Sequence, residues 1–315
     1  MTSPVELSVV VPVYNGSQSL PELIERLEAV LKECCSGFEV VLVNDGSADD
    51  SWETIEKLSA QHPWVRGIDL TRNSGQHNAL LCGIRAARYD LLVTLDDDCQ
   101  NPPEEIPALL AALDADHDIV YGVPDKRGHG LYRRLGSYLL RYSLKIGMGV
   151  DEAPDLSAFR LLRTRLRDAF SDYNAPFVTL DVLLYWSTTH TRAVRVRHDE
   201  RRYGRSNYSF LDLVSTALTA VTGYSTLPLR LSSLVGFGFT VLGALTLIWV
   251  VTGYLLFDRA VPGFAFLASL VAVFSGIQLL ILGIFGEFLA RIHMRSMDKP
   301  PYKIRRETGS GAAKG

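Results

Sequence analysis

LSVVVPVYN, residues 7–15, is an apolar, β-branched run that stops at a polar Tyr-Asn pair. A strand covered on both faces reads this way, because neither face needs to alternate to polar when helices pack on each side. FEVVLVNDGS (38–47) repeats the pattern, and SLPELIERLEAVLKEC (19–34) between them has helical spacing. A second helix, DDSWETIEKLSAQ (49–61), a strand, VRGIDL (65–70), a third helix around HNALLCGIRAA (77–87) and a strand, DLLVTLD (90–96), follow in turn. This alternation predicts an α/β fold: a mostly parallel sheet with right-handed crossovers and helices on both faces. Ligands of such sheets sit beyond the carboxyl ends of the strands. Tyr14-Asn15, Asn44-Asp45-Gly46-Ser47 and Asp96-Asp97-Asp98 all fall at such ends.

LLVTLDDDCQNPPEEIP (91–107) then poses a charge problem, since three adjacent carboxylates repel one another unless a cation lies among them. Asp96, Asp98 and Gln100 are two apart, which puts their oxygens on one side of an extended segment. Pro102 and Pro103 stop the strand and start a helix at EEIPALLAAL (104–113). The chain has no GxGxxG after the first strand and no GxxxxGKS anywhere. A diphosphate bound at this edge would therefore be neutralised by a divalent ion on oxygen ligands. Read singly, NDGSADDS is equally a turn with a helix cap, Ser47 or Asp49 accepting amide hydrogens, and the aspartate trio a solvated loop.

The 315 residues suffice for about two domains. A net charge of -3 from 32 basic and 35 acidic residues gives no reason to expect a nucleic-acid partner. Cys34, Cys35, Cys82 and Cys99 form no CxxC pair and read as thiols in a reducing compartment. The N-terminal MTSPVELSVVVPVYN has no basic region ahead of a long apolar core, so no cleaved signal peptide is expected. Residues 231–257 and 260–286 are uncharged, each longer than the ~20 residues that cross ~30 Å of hydrocarbon. They predict a transmembrane hairpin over 231–288, with spans at about 231–257 and 262–288. Arg230 before it and Arg291, Arg295, Lys299, Lys303, Arg305 and Arg306 after it outweigh Arg259 in the turn, which places both ends of the chain in the cytoplasm. YSFLDLVSTALTAVTGYSTLPL (208–229) suits helices lying at the interface. The expected organisation is a cytoplasmic catalytic domain (1–205), amphipathic juxtamembrane helices (206–230), the hairpin and a basic cytoplasmic tail (289–315) in a cytoplasmic (inner) membrane.

VVVPVYN, VNDGSADDS, RNSGQHNALLCGI and LDDDCQNPPEEIP, in this order and spacing, resemble the family 2 glycosyltransferases of GT-A (Rossmann-like) fold, in the branch that loads a sugar onto a polyprenyl phosphate. The resemblance runs from about residue 7 to residue 302. It implies a nucleotide-sugar donor, a UDP-sugar by the bacterial look of the relatives, and undecaprenyl phosphate as acceptor. It also implies Mg²⁺ or Mn²⁺ as cofactor, inversion at C1, and a homo-oligomer, tetrameric in similar enzymes. On this chain it implies that Pro12, Tyr14, Asn15, Asp45 and Gly75 bind the donor, with Asp45 accepting from the base. Asp96 lies near ribose and metal, and Asp98 and Gln100 hold the ion. Two departures stand out. Gly16 replaces the acidic residue usual after Tyr-Asn, and Asp97 stands where relatives carry a small residue, its side chain expected to point away from the ion.

KRGHGLYRRLGSYLLRYSLK (126–145) packs cations among Tyr and Leu, as a solvated amphipathic helix or as an acceptor loop. In the second reading Arg127 and Arg133 grip the lipid phosphate, since guanidinium forks match its oxygens, and Ser137 follows as in relatives. In RRYGRSNYS (201–209), Asn207 replaces a common lysine and leaves Arg202 and Arg205 to face the phosphates. Asp155 in DLSAFRLLRTRL matches the acidic residue that relatives place at the reacting centre, with Asp98 the second catalytic candidate. A phosphate monoester with a second pKa of ~6 is already largely anionic. Asp155 is accordingly either a base or an orienting group. Competing functions are transfer to another lipid or glycan, and a non-catalytic membrane scaffold that binds sugar nucleotides. No motif fixes the sugar.

Overall fold

The computed structural model describes residues 5–124, 157–174, 179–199, 227–257, 263–297 and 299–309. Its first unit is built on an eight-stranded sheet; a second holds two long helices.

Strands β1 (Glu6–Val13), β2 (Gly37–Asn44), β3 (Val65–Leu70) and β4 (Leu91–Thr94) alternate with helices α1 (Leu20–Cys34), α2 (Ser51–Gln61) and α3 (Gln76–Ala86). They pair in parallel in the order β3-β2-β1-β4, the βαβ arrangement the alternation predicts. A short 3-10 turn at Pro103–Glu105 opens α4 (Ile106–Ala112), as the proline pair requires. β5 (Ile119–Pro124), β6 (Arg160–Arg163), α5 (Leu180–Ser187), β7 (Thr191–Val196) and β8 (Ile304–Thr308) complete the sheet, in the order β7-β5-β6-β4-β1-β2-β3-β8. β6 and β8 run against the other six strands.

Both faces of the central strands are packed, which is why their sequences read as continuous apolar runs. Leu7, Val9, Val11 and Val13 of β1 and Val40 and Leu42 of β2 meet α1 and α2 on one face. Val10, Val41, Val43 and Ile68 meet α3 and α5 on the other. The exception lies at the end of the strands remote from the acidic edge. There Glu39 accepts from the Ser8 hydroxyl (2.9 Å), the Arg66 guanidinium (2.9 Å) and the Arg88 amide (2.7 Å).

β8 falls within the segment read from sequence as a basic tail. It pairs antiparallel with β3 and covers that sheet edge. Arg306 Nε donates to Asp69 at 3.1 Å and its guanidinium lies 4.7 Å from the centre of the Trp52 ring.

In the second unit, α6 (Leu227–Phe257) and α7 (Phe264–Ser296) run antiparallel, Gly236 lying near Ile281 and the Phe239 ring meeting Phe274 edge-on at 6.0 Å. At 31 and 33 residues they are about 46 and 50 Å long. Val273–Ala290 has a mean hydropathy of 1.9 with none of it buried, so among the described residues one helix is long and apolar enough to cross a membrane. Leu231–Thr246 in α6 is a shorter apolar run. The turn between the spans, and residues 206–226 ahead of them, lie outside the described residues.

Glu39→Ala strands Arg66 in the core, and the expected cost is about 3–5 kcal/mol in denaturant unfolding. Ser8→Ala, which removes one neutral donor, is expected to cost about 1 kcal/mol.

Candidate active site: four strand-end turns closed into a ring

The turns after β1, β2, β3 and β4 are fastened to one another at the carboxyl edge of the sheet. Asn15 sits at φ 55 after β1; its amide donates to Ser47 Oγ (3.0 Å) and its Oδ1 accepts from the Ala48 amide (2.9 Å). Gly16 N donates to Ser51 Oγ (3.0 Å) and Ser17 N to Asp49 Oδ2 (3.2 Å). The turn after β1 is thereby bolted to the turn after β2. Burial works against the Asp49 carboxylate, yet the hydroxyls and amides of Ser51 and Ser17 hold its pKa below the usual range.

Asp45, buried at the end of β2, reaches the turn after β3 and accepts the amides of Ser74 (2.7 Å) and Gly75 (2.8 Å). Burial raises its pKa, and those two amides oppose the rise. The neighbouring Gly46 has φ 66, and a Cβ there would lie 2.5 Å from the Asn73 nitrogen, so only glycine lets the two turns close up. From the start of α3, Gln76 Nε2 donates to Asp96 Oδ1 at 2.7 Å, linking the third turn to the fourth. Asp97 closes the ring: its carboxylate lies against Gly16, and the dipoles of the Tyr14 amide and its own amide favour its charge.

The donor residues expected from sequence are thus gathered on one edge. Pro12 is buried in β1, Tyr14 projects with 46% of its surface exposed, and Gly75 lies at φ 94 ahead of α3. Of the expected metal ligands, Asp96 is held by Gln76, Asp98 Oδ1 accepts the Gln100 amide (3.1 Å), and the Gln100 carbonyl accepts from the Asp199 amide (2.8 Å). Among the described residues no three His, Cys, Asp or Glu side chains form a ready-made metal cage. The donor chemistry nonetheless fits a hard divalent cation, because all three candidates offer oxygen. The electrostatics fit as well. Burial first, and then the charges of Asp96 and Asp98, push the Asp97 pKa from 3.8 up to about 7, and those two neighbouring charges are ones that a bound cation would offset. Asp155, Arg127, Arg133, Ser137, Arg202 and Arg205 lie outside the described residues, as does the basic stretch 126–145.

Three features escaped the sequence reading. Arg160 of β6, 1% exposed, pairs with Asp181 of α5, lies 5.8 Å from the centre of the Tyr121 ring and bears electrostatically on Asp96. Burial lowers the pKa of His77, whose Nδ1 faces the Leu180 amide at 3.4 Å. Ser47 and Asp49 tie turn to turn across more than 30 residues of sequence. A polar cleft on the α2 side is lined by Asn44, Ser47, Asp49, Asp69, Arg72 and Arg305; Tyr14, Asp96 and Asp98 are not part of its wall. Finally, the two departures from the family pattern meet: a Cβ on Gly16 would lie 2.2 Å from Asp97 Oδ2.

The model of the family described as Glycosyl transferase family 2 matches residues 8–174. The chain belongs to this family. Among curated members, it is 36% identical over 301 residues to the undecaprenyl-phosphate 4-deoxy-4-formamido-L-arabinose transferase of Pseudomonas fluorescens, covering 95% of this chain and 89% of that one. It is 37% identical over 307 residues to the protein of that name from Pseudomonas aeruginosa (96% and 91% covered), and 35% identical over 312 residues to that of Shewanella sediminis (98% and 94%). The chain is a glycosyltransferase, and its fold is GT-A. Crystal structures of glucosyl-3-phosphoglycerate synthase from Mycobacterium tuberculosis, in complexes with Mn²⁺, UDP and phosphoglyceric acid or with Mn²⁺, UDP-glucose and phosphoglyceric acid, superimpose with a TM-score of 0.53 at 17% identity. They cover 69% of this chain and 76% or 77% of theirs. At that identity the likeness speaks for the fold alone.

Asp97 yields a pH dependence. The folded chain holds the Asp97 proton more tightly than the unfolded chain, so its contribution to stability is favourable in acid and is lost as pH rises between about 4 and about 7. In chelator-treated protein, Asp97→Asn is expected to flatten the unfolding midpoint across that window and to raise it above the parent's at neutral pH.

Proposed function

We propose that this glycosyltransferase moves a sugar from a nucleotide donor, a UDP-sugar, to undecaprenyl phosphate, releasing the nucleoside diphosphate. The observation that carries the reading is the extent of the kinship. Relatives named for this transfer align over 95% or more of the chain, the helices α6 and α7 included. The ring of turns supports the donor half. Tyr14 offers an exposed ring for a base to lie against, Asp45 offers a carboxylate fixed by two amides, and the acidic turn lies at the same edge.

In this reading Asp96, Asp98 and Gln100 hold a divalent cation, which when bound supplies Lewis-acid stabilisation to the departing diphosphate. The chain's own groups do the rest. Asp45 and Tyr14 orient the nucleoside so that C1 of the sugar is presented in line. An oxygen of the acceptor phosphate forms the new bond to C1 as the bond to the nucleoside diphosphate breaks, with inversion. A phosphate with a second pKa of ~6 needs no base at neutral pH, so Asp155 orients the acceptor rather than deprotonating it. Arg127, Arg133 and Ser137 bind the acceptor phosphate, and Arg202 and Arg205 the diphosphate.

The membrane assignment belongs to the same reading. α6 and α7 form two spans that hold the catalytic domain at the cytoplasmic face of the inner membrane, because an acceptor with a polyprenyl tail does not leave the bilayer. Large side chains exposed along both helices, among them Phe237, Ile248 and Trp249 on α6 and Leu279, Leu280 and Leu289 on α7, support it, as water is a poor solvent for them.

The test is a donor screen with radiolabelled UDP-sugars, UDP-glucose and UDP-linked 4-deoxy-4-formamido-L-arabinose first, read by extraction into organic solvent. Label is expected in the organic phase only when undecaprenyl phosphate and Mn²⁺ or Mg²⁺ are present. Asp98→Ala is expected to lower kcat/KM by about 100-fold or more. An unchanged rate in that variant removes the metal assignment, and label that never enters the solvent phase removes the acceptor.

A further inference from the structure

Gly16 is buried at the start of the turn into α1 and is not among the residues with positive φ, so backbone conformation does not demand glycine there. Space does. A Cβ at position 16 would lie 2.2 Å from Asp97 Oδ2 and 3.2 Å from Asp97 Cγ, far inside van der Waals contact. The carboxylate of Asp97 occupies the volume that a side chain on residue 16 would need. It does so at a cost, since Oδ2 is shut away from solvent with no hydrogen-bond partner among the described residues. What that placement secures is a close fit of the Asp97 carboxylate against the Gly16 backbone, with the Tyr14 and Asp97 amide dipoles favouring its charge.

We propose that Asp97 is a positioning residue for the donor site: by filling the side-chain space of residue 16 it fastens the Tyr14–Gly16 turn to the Asp96–Asp98 turn. The nucleoside-facing turn and the cation-facing turn then keep one fixed register. Residues 16 and 97 share one volume, so only one of them can carry a side chain into it. The functional half of the proposal rests on the nucleotide-sugar reading above; the packing half does not.

Two measurements on the full chain in detergent separate them, with Gly16→Ala, Asp97→Ala, the double variant and Asp97→Asn. The first is thermal unfolding in chelator without nucleotide. Gly16→Ala is expected to lower the midpoint by roughly 2–6 °C in the parent, and by a small fraction of that in the Asp97→Ala background, where the volume is vacant. The second is calorimetric titration of UDP with saturating Mn²⁺. Kd is expected to rise about tenfold in Gly16→Ala and in Asp97→Ala and no further in the double variant, a non-additivity that independent damage would not produce. Asp97→Asn, which keeps the shape and one side-chain oxygen, is expected to stay within about threefold of the parent.

Equal unfolding shifts in the two backgrounds overturn the proposal, as does parent-like UDP binding by Asp97→Ala. A parent that binds no UDP with Mn²⁺ sinks the donor reading instead, and the unfolding cycle then decides the coupling of residues 16 and 97 by itself.

Discussion

Carboxylates can be concentrated at one sheet edge only if each is answered by a donor that cannot drift away. In this chain the answering groups are largely backbone amides of neighbouring turns. Asp45 takes two from the turn after β3, and Asp49 takes one from the turn after β1. Each bond does two things at once. It compensates a buried or half-buried charge, and it ties one strand-end turn to the next, so that the geometry of the site and the electrostatics of the site are the same set of contacts. Arg160 adds a buried guanidinium that acts on Asp96 from behind. The acidic turn sets Asp96, Asp97 and Asp98 on adjacent residues, a concentration of negative charge that a divalent ion would balance.

The parts of this arrangement legible from sequence are those in which one residue type has one physical reading. Continuous β-branched runs mean strands covered on both faces, and β1, β2 and β3 follow the runs closely. Strand ends in an α/β sheet mean a ligand edge, and by that rule the sequence places Tyr14, Asp45 and Asp96 on the one edge where the structure has them. Strands β1 to β4 are read from sequence, and β5, β6, β7 and β8 are not; of the latter four, Arg160–Arg163, Thr191–Val196 and Ile304–Thr308 carry charges every few residues. β6 hides its first arginine in an ion pair with Asp181. β8 is an edge strand, and edge strands use charge to avoid pairing with other chains. No local pattern marks either case. Ser47 and Asp49 were open to the bland reading of a turn and a cap, and Asp49 does accept the Ser51 amide at 3.2 Å. The same side chains also make the long-range bonds that close the ring, and a partner more than 30 residues away leaves no trace in spacing.

The two units solve opposite solvent problems with the same apolar residues. In the sheet unit most Val and Leu side chains are buried, and the buried Glu39 carboxylate is met by hydrogen-bond donors. In α6 and α7 the pattern is reversed: large apolar side chains are exposed all along, and the Thr240 and Thr246 hydroxyls turn back to carbonyls one turn earlier in their own helix. In the membrane assignment proposed for α6 and α7, a hydroxyl bonded within its own helix suits a hydrocarbon environment. The glycines facing Phe274 and Ile281 let the two helices approach each other, and van der Waals packing is the attraction available between helices in lipid.

Asp97 shows why the ring is better described as a constraint than as a collection of favourable contacts. Judged as an isolated group it is unfavourable, with an oxygen lacking a partner and two like charges on adjacent residues. Judged with Gly16 it is the feature that leaves room for nothing else. An apolar side chain at position 97 would relieve the repulsion but offer no charge to the Tyr14 amide dipole, and a side chain at position 16 would force the carboxylate out. The chain therefore carries a local cost so that two turns arriving from β1 and β4, strands far apart in sequence, meet in one way. Such costs are tolerated where a sheet edge must present several groups to one ligand, because a register error of even one ångström between turns would separate the groups that have to act together.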